Sequence, residues 1–364
     1  MNSDLSISFS PISVIKKGDP LIRYLSKREV QPLMVIFIGI GYGVLYAIAL
    51  PIFYGTINQV FNDWPELIRI LAITPLLIGY YVWQPKTIQN LFNMVPQRIL
   101  DPSAQDLDRI SGITKPLSYR FWFWIAIIFG TFNSVVYYVS LLERKINWQT
   151  SNSIIAIMST VATFFSFYAV MHIVIRQIIT IRGINKFFRT IDIEIAPLHP
   201  DKAGGLKPLG QYVVTIGLGI GIIGLALGIS LLRSHMGLEK LEDIFYINLG
   251  VYLLVAPIFF FIPLIEAHRV MQKAKDNILV DIARQYESLY LSTIQKMKNG
   301  DPLEKDLAQM DAIRKMYLIA DGSPVWPFNI NILSKFSAAV ILPVILPVTI
   351  DYFTGLIINL LSFI

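Results

Sequence analysis

The chain has 364 residues, of which 54% are hydrophobic and 15% are charged, and its mean hydropathy is +0.56. Soluble domains usually carry about 25% charged residues, so this chain has too few charges to cover a large water-exposed surface. It contains no cysteine, which excludes disulfides, thiolate metal sites and cysteine nucleophiles. We therefore predict a membrane protein whose main partner is the lipid bilayer.

Seven apolar runs are long enough to cross a bilayer as helices, which takes about 20 residues each. They are 33–54, 67–83, 121–142, 153–175, 212–232, 244–265 and 328–350. The first residues lack the basic, apolar and small-residue order of a cleavable signal peptide, so the first run is expected to be a retained span. The predicted fold class is all-α: a polytopic membrane helical bundle of about seven transmembrane helices.

The basic residues alternate between the two ends of these spans. Segments 1–32, 84–120, 176–211 and 266–327 hold 25 Lys and Arg residues, whereas the alternate segments hold 4. The positive-inside rule therefore predicts a cytoplasmic N-terminus and an outer C-terminus in the inner (plasma) membrane. Because this charge would face anionic lipid, the net charge of +6 does not indicate a nucleic-acid partner.

Four units follow from these patterns. They are a cytoplasmic basic tail (1–32), a bundle of six spans with inner loops 84–120 and 176–211 (33–265), a cytoplasmic helical hairpin (266–327), and a last span with a short outer tail (328–364). The tail holds five cations, which are Lys16, Lys17, Arg23, Lys27 and Arg28. We interpret them as a topology anchor, with a lipid-specific site as the alternative.

The hairpin prediction rests on helical periodicity that continues beyond the sixth span and breaks at the sequence KNGDP, 298–302. Gly300 suits the end of one helix, while Asp301 and Pro302 suit the cap and first position of the next. The apolar positions Leu289, Ile313, Leu307 and Tyr317 are expected to face inward between the two helices.

One polar stretch, PLHPDKAGGL at 197–206, carries His199, Asp201 and Lys202. Glu266 and His268 follow the sixth span on the same predicted side of the membrane. If the two segments meet, these five residues could hold a divalent metal or an anion, or relay a proton. The alternative is that Asp201 caps the fifth span, His199 bonds to backbone, and Glu266 and His268 are ordinary interfacial residues.

Two further polar residues lie within the spans. Asn133 and His172 are candidates for a solute pathway, although Asn133 is most simply an interhelical hydrogen-bond donor. The sequence shows no Ser/His/Asp, phosphate-loop or HExxH motif, so no catalytic residue is predicted and enzymatic activity stays open.

Three segments together resemble a family of bacterial polytopic membrane proteins of unassigned function. They are PLHPDKAGGL, the His268–Met271 stretch HRVM, and Trp326-Pro327-Phe328, and they cover about the C-terminal half. In predicted topology, with seven spans, an inside N-terminus and long cytosolic helix extensions, the chain is similar to the insect odorant and gustatory receptor channels. These resemblances imply a fold and bring no activity with them.

Three functional hypotheses follow. The leading one is a channel or transporter for ions or small solutes, which predicts a polar stripe along the spans. The second is a membrane-bound enzyme or metal-dependent sensor, which predicts that His199 and His268 converge in a cytoplasmic cleft. The third is a scaffold whose hairpin binds a partner or a second copy to form a homo-oligomer. It predicts an exposed apolar face on residues 270–320.

Overall fold

The computed structural model describes residues 11–94, 111–143, 148–190, 199, 201, 203–238 and 243–327, with scattered positions between 333 and 352. Helices dominate these residues, and no strand occurs among them. Six helices among the described residues are long and apolar enough to cross a membrane, which supports an all-α membrane protein. The expected seventh span, 328–350, and the acidic stretch 190–196 before PLHPDKAGGL lie mostly outside the described residues.

The helices of the described residues are named in chain order. They are α1 (Pro11–Gly18), α2 (Pro20–Lys27), α3 (Pro32–Phe53), α4 (Ile57–Asn62), α5 (from Trp64 to Met94), α6 (Phe121–Glu143), α7 (Ser153–Thr190), α8 (Lys207–His235), α9 (Asp243–Asn299) and α10 (Glu304–Asp321). The candidate spans are α3, α5, α6, α7, α8 and the first part of α9.

The first two spans, α3 and α5, pack closely through small residues. A Cβ on Gly39 would lie 3.2 Å from Pro75, and one on Gly43 would lie 3.0 Å from Ile70. Each span also contains a π-helical segment, Leu45–Ala49 in α3 and Arg69–Ile73 in α5. Small residues thus let these two helices approach each other, as membrane helix pairs commonly do.

The N-terminal helices fold onto the bundle. Ile15 and Ile22 are buried in the main core, which also includes residues of α5, α7, α8 and α9. A Cβ on Gly18 would lie 2.4 Å from the carbonyl oxygen of Leu117, so only glycine fits this contact. Residues 11–27 of the basic tail are therefore part of the folded bundle.

The glycines of α8 lie in the middle of that bundle. The five glycines from Gly217 to Gly228 are buried, and a Cβ on Gly219 would lie 2.6 Å from the ring of Tyr80 on α5. The absence of side chains here allows the Tyr80 ring to pack flat against α8, and the Tyr80 hydroxyl donates to the carbonyl oxygen of Thr215, 2.8 Å away.

The longest helix, α9, has 57 residues, which corresponds to about 86 Å. Only about 20 of these residues are needed to cross a bilayer, so most of the helix projects beyond the hydrocarbon. The projecting part packs against α10 through buried Ile282 and Ile313, with Leu289 partly buried beside them. A helical hairpin is therefore present.

Two details of the hairpin prediction are corrected by the structure. Gly300 does take the left-handed conformation (φ +78°), but α10 begins at Glu304 with Leu303 in the capping position. The prediction that Asp301 and Pro302 start this helix is therefore wrong. Leu307 and Tyr317 are exposed, because the single face of α10 that touches α9 is the one carrying Ile313.

Candidate functional site

His199 and Asp201 form a local turn that precedes α8. The Asp201 carboxylate accepts hydrogen bonds from the backbone N–H groups of Ala203 (2.9 Å), Gly205 (3.0 Å) and Lys207 (3.3 Å). Nδ1 of His199 lies 2.7 Å from Oδ1 of Asp201. Asp201 thus reaches the first backbone N–H of α8, but the capping position of that helix is Leu206, so the expected cap at Asp201 is met only in part. Lys202 lies outside the described residues.

Burial would raise the pKa of Asp201, but the hydrogen bonds from Ala203, Gly205, His199 and Lys207 together outweigh it and lower that pKa below its ordinary value. Gly204 and Gly205 both have positive φ, 62° and 86°. They allow the chain to wrap around the carboxylate before α8 begins.

Glu266 and His268 have partners of their own on other segments. Glu266 pairs with Arg189 at the end of α7 and with Arg269, 2.9 Å away. Nδ1 of His268 is 2.8 Å from the carbonyl oxygen of Val325, and its ring stacks on Trp326 with centroids 4.0 Å apart. These contacts join α9 to α7 and to the segment that follows the hairpin.

A shared metal site for the two pairs finds no support in the structure. Among the described residues, no group of three or more His, Asp or Glu side chains could hold a metal ion. Nδ1 of His199 lies against Asp201, whereas Nδ1 of His268 contacts the carbonyl oxygen of Val325.

The polar residues inside α6 and α7 mostly bond to their own helices. Asn133 donates to the carbonyl oxygen of Phe129, 2.8 Å away, so the prediction of an interhelical hydrogen bond is wrong. Four hydroxyl side chains likewise donate to carbonyls four residues earlier, namely Ser134, Thr160, Thr163 and Ser166. These residues therefore give no continuous polar stripe.

His172 belongs to a buried polar group that we call the Asp19 cluster. Its members come from three parts of the chain: Asp19 between α1 and α2, Tyr81 and Gln84 on α5, and Tyr168, His172 and Arg176 on α7. On α7, positions 168, 172 and 176 are four residues apart, so one helical face presents all three side chains to Asp19.

Asp19 is the centre of this cluster and is 2% exposed. Its carboxylate caps α2 by accepting from the N–H groups of Leu21 (3.0 Å) and Ile22 (3.2 Å). It also accepts from the hydroxyls of Tyr81 (2.7 Å) and Tyr168 (3.2 Å). A buried carboxylate with this many donors is held in its ionised form.

Arg176 supplies the opposite charge. It forms an ion pair with Asp19, donates to the Tyr81 carbonyl oxygen at 3.0 Å and lies 4.7 Å from the Tyr81 ring centroid. Burial alone would raise the pKa of Asp19, but Arg176 together with His172 and the hydrogen bonds from Tyr81 and Ile22 outweighs that effect and holds the pKa below its ordinary value.

His172 is the one member whose hydrogen bonding is incomplete within the described part of the chain. Its Nδ1 lies 3.6 Å from Oδ2 of Asp19, and its buried Nε2 has no hydrogen-bond partner there. His172 also lines a cavity of about 10 Å³ together with Asp19, Arg176 and Trp122, enough for about one water molecule. His172 thus keeps an unused ring nitrogen directly beside the buried Asp19–Arg176 ion pair.

A second buried charged group, the Arg233 cluster, lies nearer the other end of the same bundle. It comprises Asp63, Glu66, Arg69, Trp148, Gln149 and Arg233. Arg233 contacts both oxygens of Asp63 at 2.9 Å and Oε2 of Glu66 at 3.2 Å. Along α5, Glu66 is fifteen residues from Tyr81, or about 22 Å. The bundle thus carries one buried ionic contact towards each end.

Sequence reasoning missed Asp19. The available signal was that Asp19 is the only acidic residue among the basic residues of 11–28 and directly precedes Pro20, an arrangement typical of a helix start. His172 and Arg176, inside or next to an apolar run, also require a buried partner.

No family model, curated protein or solved structure matches this chain, so the candidate site is defined by its geometry.

Proposed function

We propose that this integral membrane protein is a channel or transporter for ions or small solutes, and that the Asp19 cluster is its proton-sensitive site. The observation that carries the proposal is His172, a buried imidazole with an unpartnered Nε2 next to the Asp19–Arg176 pair. The positive-inside pattern supports a cytoplasmic position for this cluster, in the inner (plasma) membrane.

Ionisable groups within or beside membrane spans are expensive to bury, and they commonly mark ion pathways or proton relays. A pair with only a structural role, Asp19 with Arg176, would need no titratable imidazole 3.6 Å from the carboxylate. His172 and its cavity therefore favour a role beyond fastening the helices.

Protonation of His172 would change the balance of charge around Asp19. An imidazolium at this distance would compete with Arg176 for the same carboxylate oxygen, Oδ2. Because Asp19 connects α1 and α2 and Arg176 belongs to α7, that competition would bias how the N-terminal helices sit on the bundle. Such a bias is what proton-coupled or proton-gated transport requires.

The test uses the purified protein reconstituted into liposomes that contain a pH-sensitive dye. With a potassium gradient and valinomycin setting the voltage, we expect proton or cation flux that depends on pH. His172→Gln should reduce this flux at least tenfold, because glutamine keeps polarity but cannot titrate.

The matched control is His268→Gln, which removes an imidazole outside the Asp19 cluster. It should keep the flux of the parent protein. Equal flux in the parent and His172→Gln, or no flux from the parent under any gradient tested, would contradict the proposal. Tyr168→Phe, which removes one hydrogen bond from Asp19, provides a milder variant if His172→Gln does not fold.

A second candidate function, an interaction scaffold, is favoured by the hairpin. Six large apolar side chains there are each more than half exposed: Leu291, Met297, Leu307, Met316, Leu318 and Ile319. Since residues 270–321 carry eight basic and eight acidic residues, this surface is not repelled by its own copy. We propose a second copy of the chain as the partner, giving a homo-oligomer.

This scaffold hypothesis is tested by the mass of the detergent-solubilised particle, measured by light scattering. Leu318→Asp should lower the mass towards that of one chain if the exposed face joins two copies. Gln309→Asp adds the same charge at an exposed polar position on α10 and should leave the mass unchanged. A single-chain mass for the parent protein would remove the hypothesis.

A further inference from the structure

The two N-terminal helices carry a basic cleft that shares no lining residue with the cavity beside Asp19. The cleft has a volume of about 350 Å³, within the range of about 300–1,000 Å³ usual for small-ligand sites. Its lining consists of Ser13, Lys16 and Lys17 from α1 with Arg23, Ser26 and Lys27 from α2.

The spacing of these residues is the same on both helices. Positions 13, 16 and 17 and positions 23, 26 and 27 each follow the i, i+3, i+4 pattern that places side chains on one helical face. Each helix therefore contributes one hydroxyl and two cations to the cleft. The turn at Asp19, fixed by its buried contacts, holds the two faces towards each other.

The described lining of the cleft is strongly positive. Its lining contains four cations and no carboxylate. Within the part of the chain that the structure describes, Lys16, Lys17, Arg23 and Lys27 form no ion pair with an acidic side chain. Four like charges around one concavity repel each other and raise the local concentration of anions.

The cleft also has a defined position relative to the bilayer. Lys27 is five residues before Pro32, the first residue of the α3 span, so at most about 18 Å of chain separates them. Ile15 and Ile22, on the same two helices, are buried in the bundle core, which prevents the cleft from moving away. If α3 enters the bilayer at Pro32, the cleft therefore lies close to the depth at which lipid phosphates are found.

We propose that this cleft binds a phosphate-bearing anion. Lysine ammonium groups and the arginine guanidinium match phosphate oxygens as charge-assisted donors, and the two serine hydroxyls add neutral ones. The same chemistry fits the headgroup of an anionic phospholipid and a soluble phosphate compound, and the position near α3 favours the lipid. This site is separate from the proposed transport function and makes the tail more than a topology anchor.

The test measures binding to the full-length protein in detergent by the shift of its unfolding temperature. The probes are a short-chain phosphatidylglycerol, a short-chain phosphatidylcholine and inorganic phosphate. We expect phosphatidylglycerol to stabilise the protein at lower concentration than phosphatidylcholine. Lys16→Gln/Lys17→Gln and Arg23→Gln/Lys27→Gln should each weaken the apparent phosphatidylglycerol affinity at least tenfold.

The matched control is Lys298→Gln/Lys305→Gln, which removes two exposed cations from the hairpin. This control should bind phosphatidylglycerol as the parent does.

Equal loss in the control, or no loss in either cleft variant, would overturn the proposal. If only inorganic phosphate binds and the cleft variants lose that binding, the cleft is a phosphate site whose ligand is a soluble phosphate compound. Lys17→Gln alone serves if a double variant does not fold. Because no flux is measured, failure here is distinct from failure of the transport proposal.

Discussion

Arg176 and Asp19 are 157 residues apart in the chain, yet they form a buried ion pair that fastens the N-terminal helices to α7. Both side chains are at most 4% exposed. A buried pair of this kind adds little over a well-packed apolar contact, but removing one partner leaves an uncompensated charge in the core. The pair therefore makes the position of α1 and α2 sensitive to any change of charge nearby.

The first prediction concerns this pair. Asp19→Asn should lower the free energy of unfolding by about 3–5 kcal/mol, because Arg176 would remain buried without its counter-charge. Thermal unfolding in detergent measures the loss. Asp276→Asn, at an exposed position on α9, should change stability by less than about 0.5 kcal/mol.

The double variant Asp19→Asn/Arg176→Gln gives the coupling between the two residues. It should be more stable than the sum of the two single losses predicts, because neither charge is then left alone. Strict additivity, together with an Asp19→Asn effect no larger than that of Asp276→Asn, would show that the pair does not stabilise the fold.

The sequence could predict the helices better than their contacts. Long apolar runs predicted six of the spans that the structure contains, because a span must satisfy its own backbone hydrogen bonds and needs about 20 residues. The break at Gly300 was predictable for a similar reason, since glycine readily takes a positive φ at a helix end.

The partners of individual side chains were much harder to predict. In a membrane bundle apolar residues face both lipid and core, so hydropathy does not separate exposed Leu254 from buried Leu264 on α9. The same ambiguity explains the wrong inward orientation of Leu307. Asp19 pairs with a residue 157 positions later in the chain. The residue pattern of α1 and α2 does not show which face of α7 they pack against.

The second prediction addresses the Arg233 cluster. Arg233→Lys keeps the charge, but one ammonium group cannot bond to both oxygens of Asp63 while also reaching Glu66. We expect a loss of about 1–3 kcal/mol in unfolding free energy, the usual cost of a buried acceptor left without its donor.

The comparison for this variant is Arg189→Lys. Arg189 also pairs with a glutamate, Glu266, but the Arg189 side chain is 63% exposed. Water can therefore replace any hydrogen bond to Glu266 that the shorter lysine does not make. Its unfolding temperature should stay within error of the parent. If both arginine variants behave alike, burial of the Arg233 cluster has no energetic consequence.

The third prediction is a pH dependence at Asp201. Its lowered pKa means that the ionised carboxylate is favoured in the folded protein over the unfolded chain. The resulting stability is fully present above the ordinary pKa of 3.8 and is lost as the pH falls through the lower pKa of the folded state. Asp201→Asn should therefore cost about 1 kcal/mol at pH 7.

The measurement is the difference in unfolding temperature between the parent and Asp201→Asn at pH 7, 5 and 3. This difference should be the same at pH 7 and 5 and smaller at pH 3. Repeating the series in a His199→Gln background separates the carboxylate from its histidine neighbour, 2.7 Å away. A difference that persists undiminished at pH 3 would mean that the backbone hydrogen bonds do not depend on ionisation.

The last prediction is topological and uses the absence of native cysteine, which makes any introduced thiol unique. Ser234 lies at the end of α8, and Ser292 lies in the projecting part of α9. The apolar first part of α9 separates them, so a single crossing of the bilayer by this segment would put the two positions on opposite sides. The 25-to-4 distribution of basic residues predicts a cytoplasmic position for Ser292. A membrane-impermeant maleimide should then label Ser234→Cys in right-side-out vesicles and Ser292→Cys only in inverted ones. The parent protein should stay unlabelled in both preparations.

Labelling of both positions from the same side would show that α9 does not cross the membrane, and the reverse pattern would show that the Asp19 cluster faces the outside.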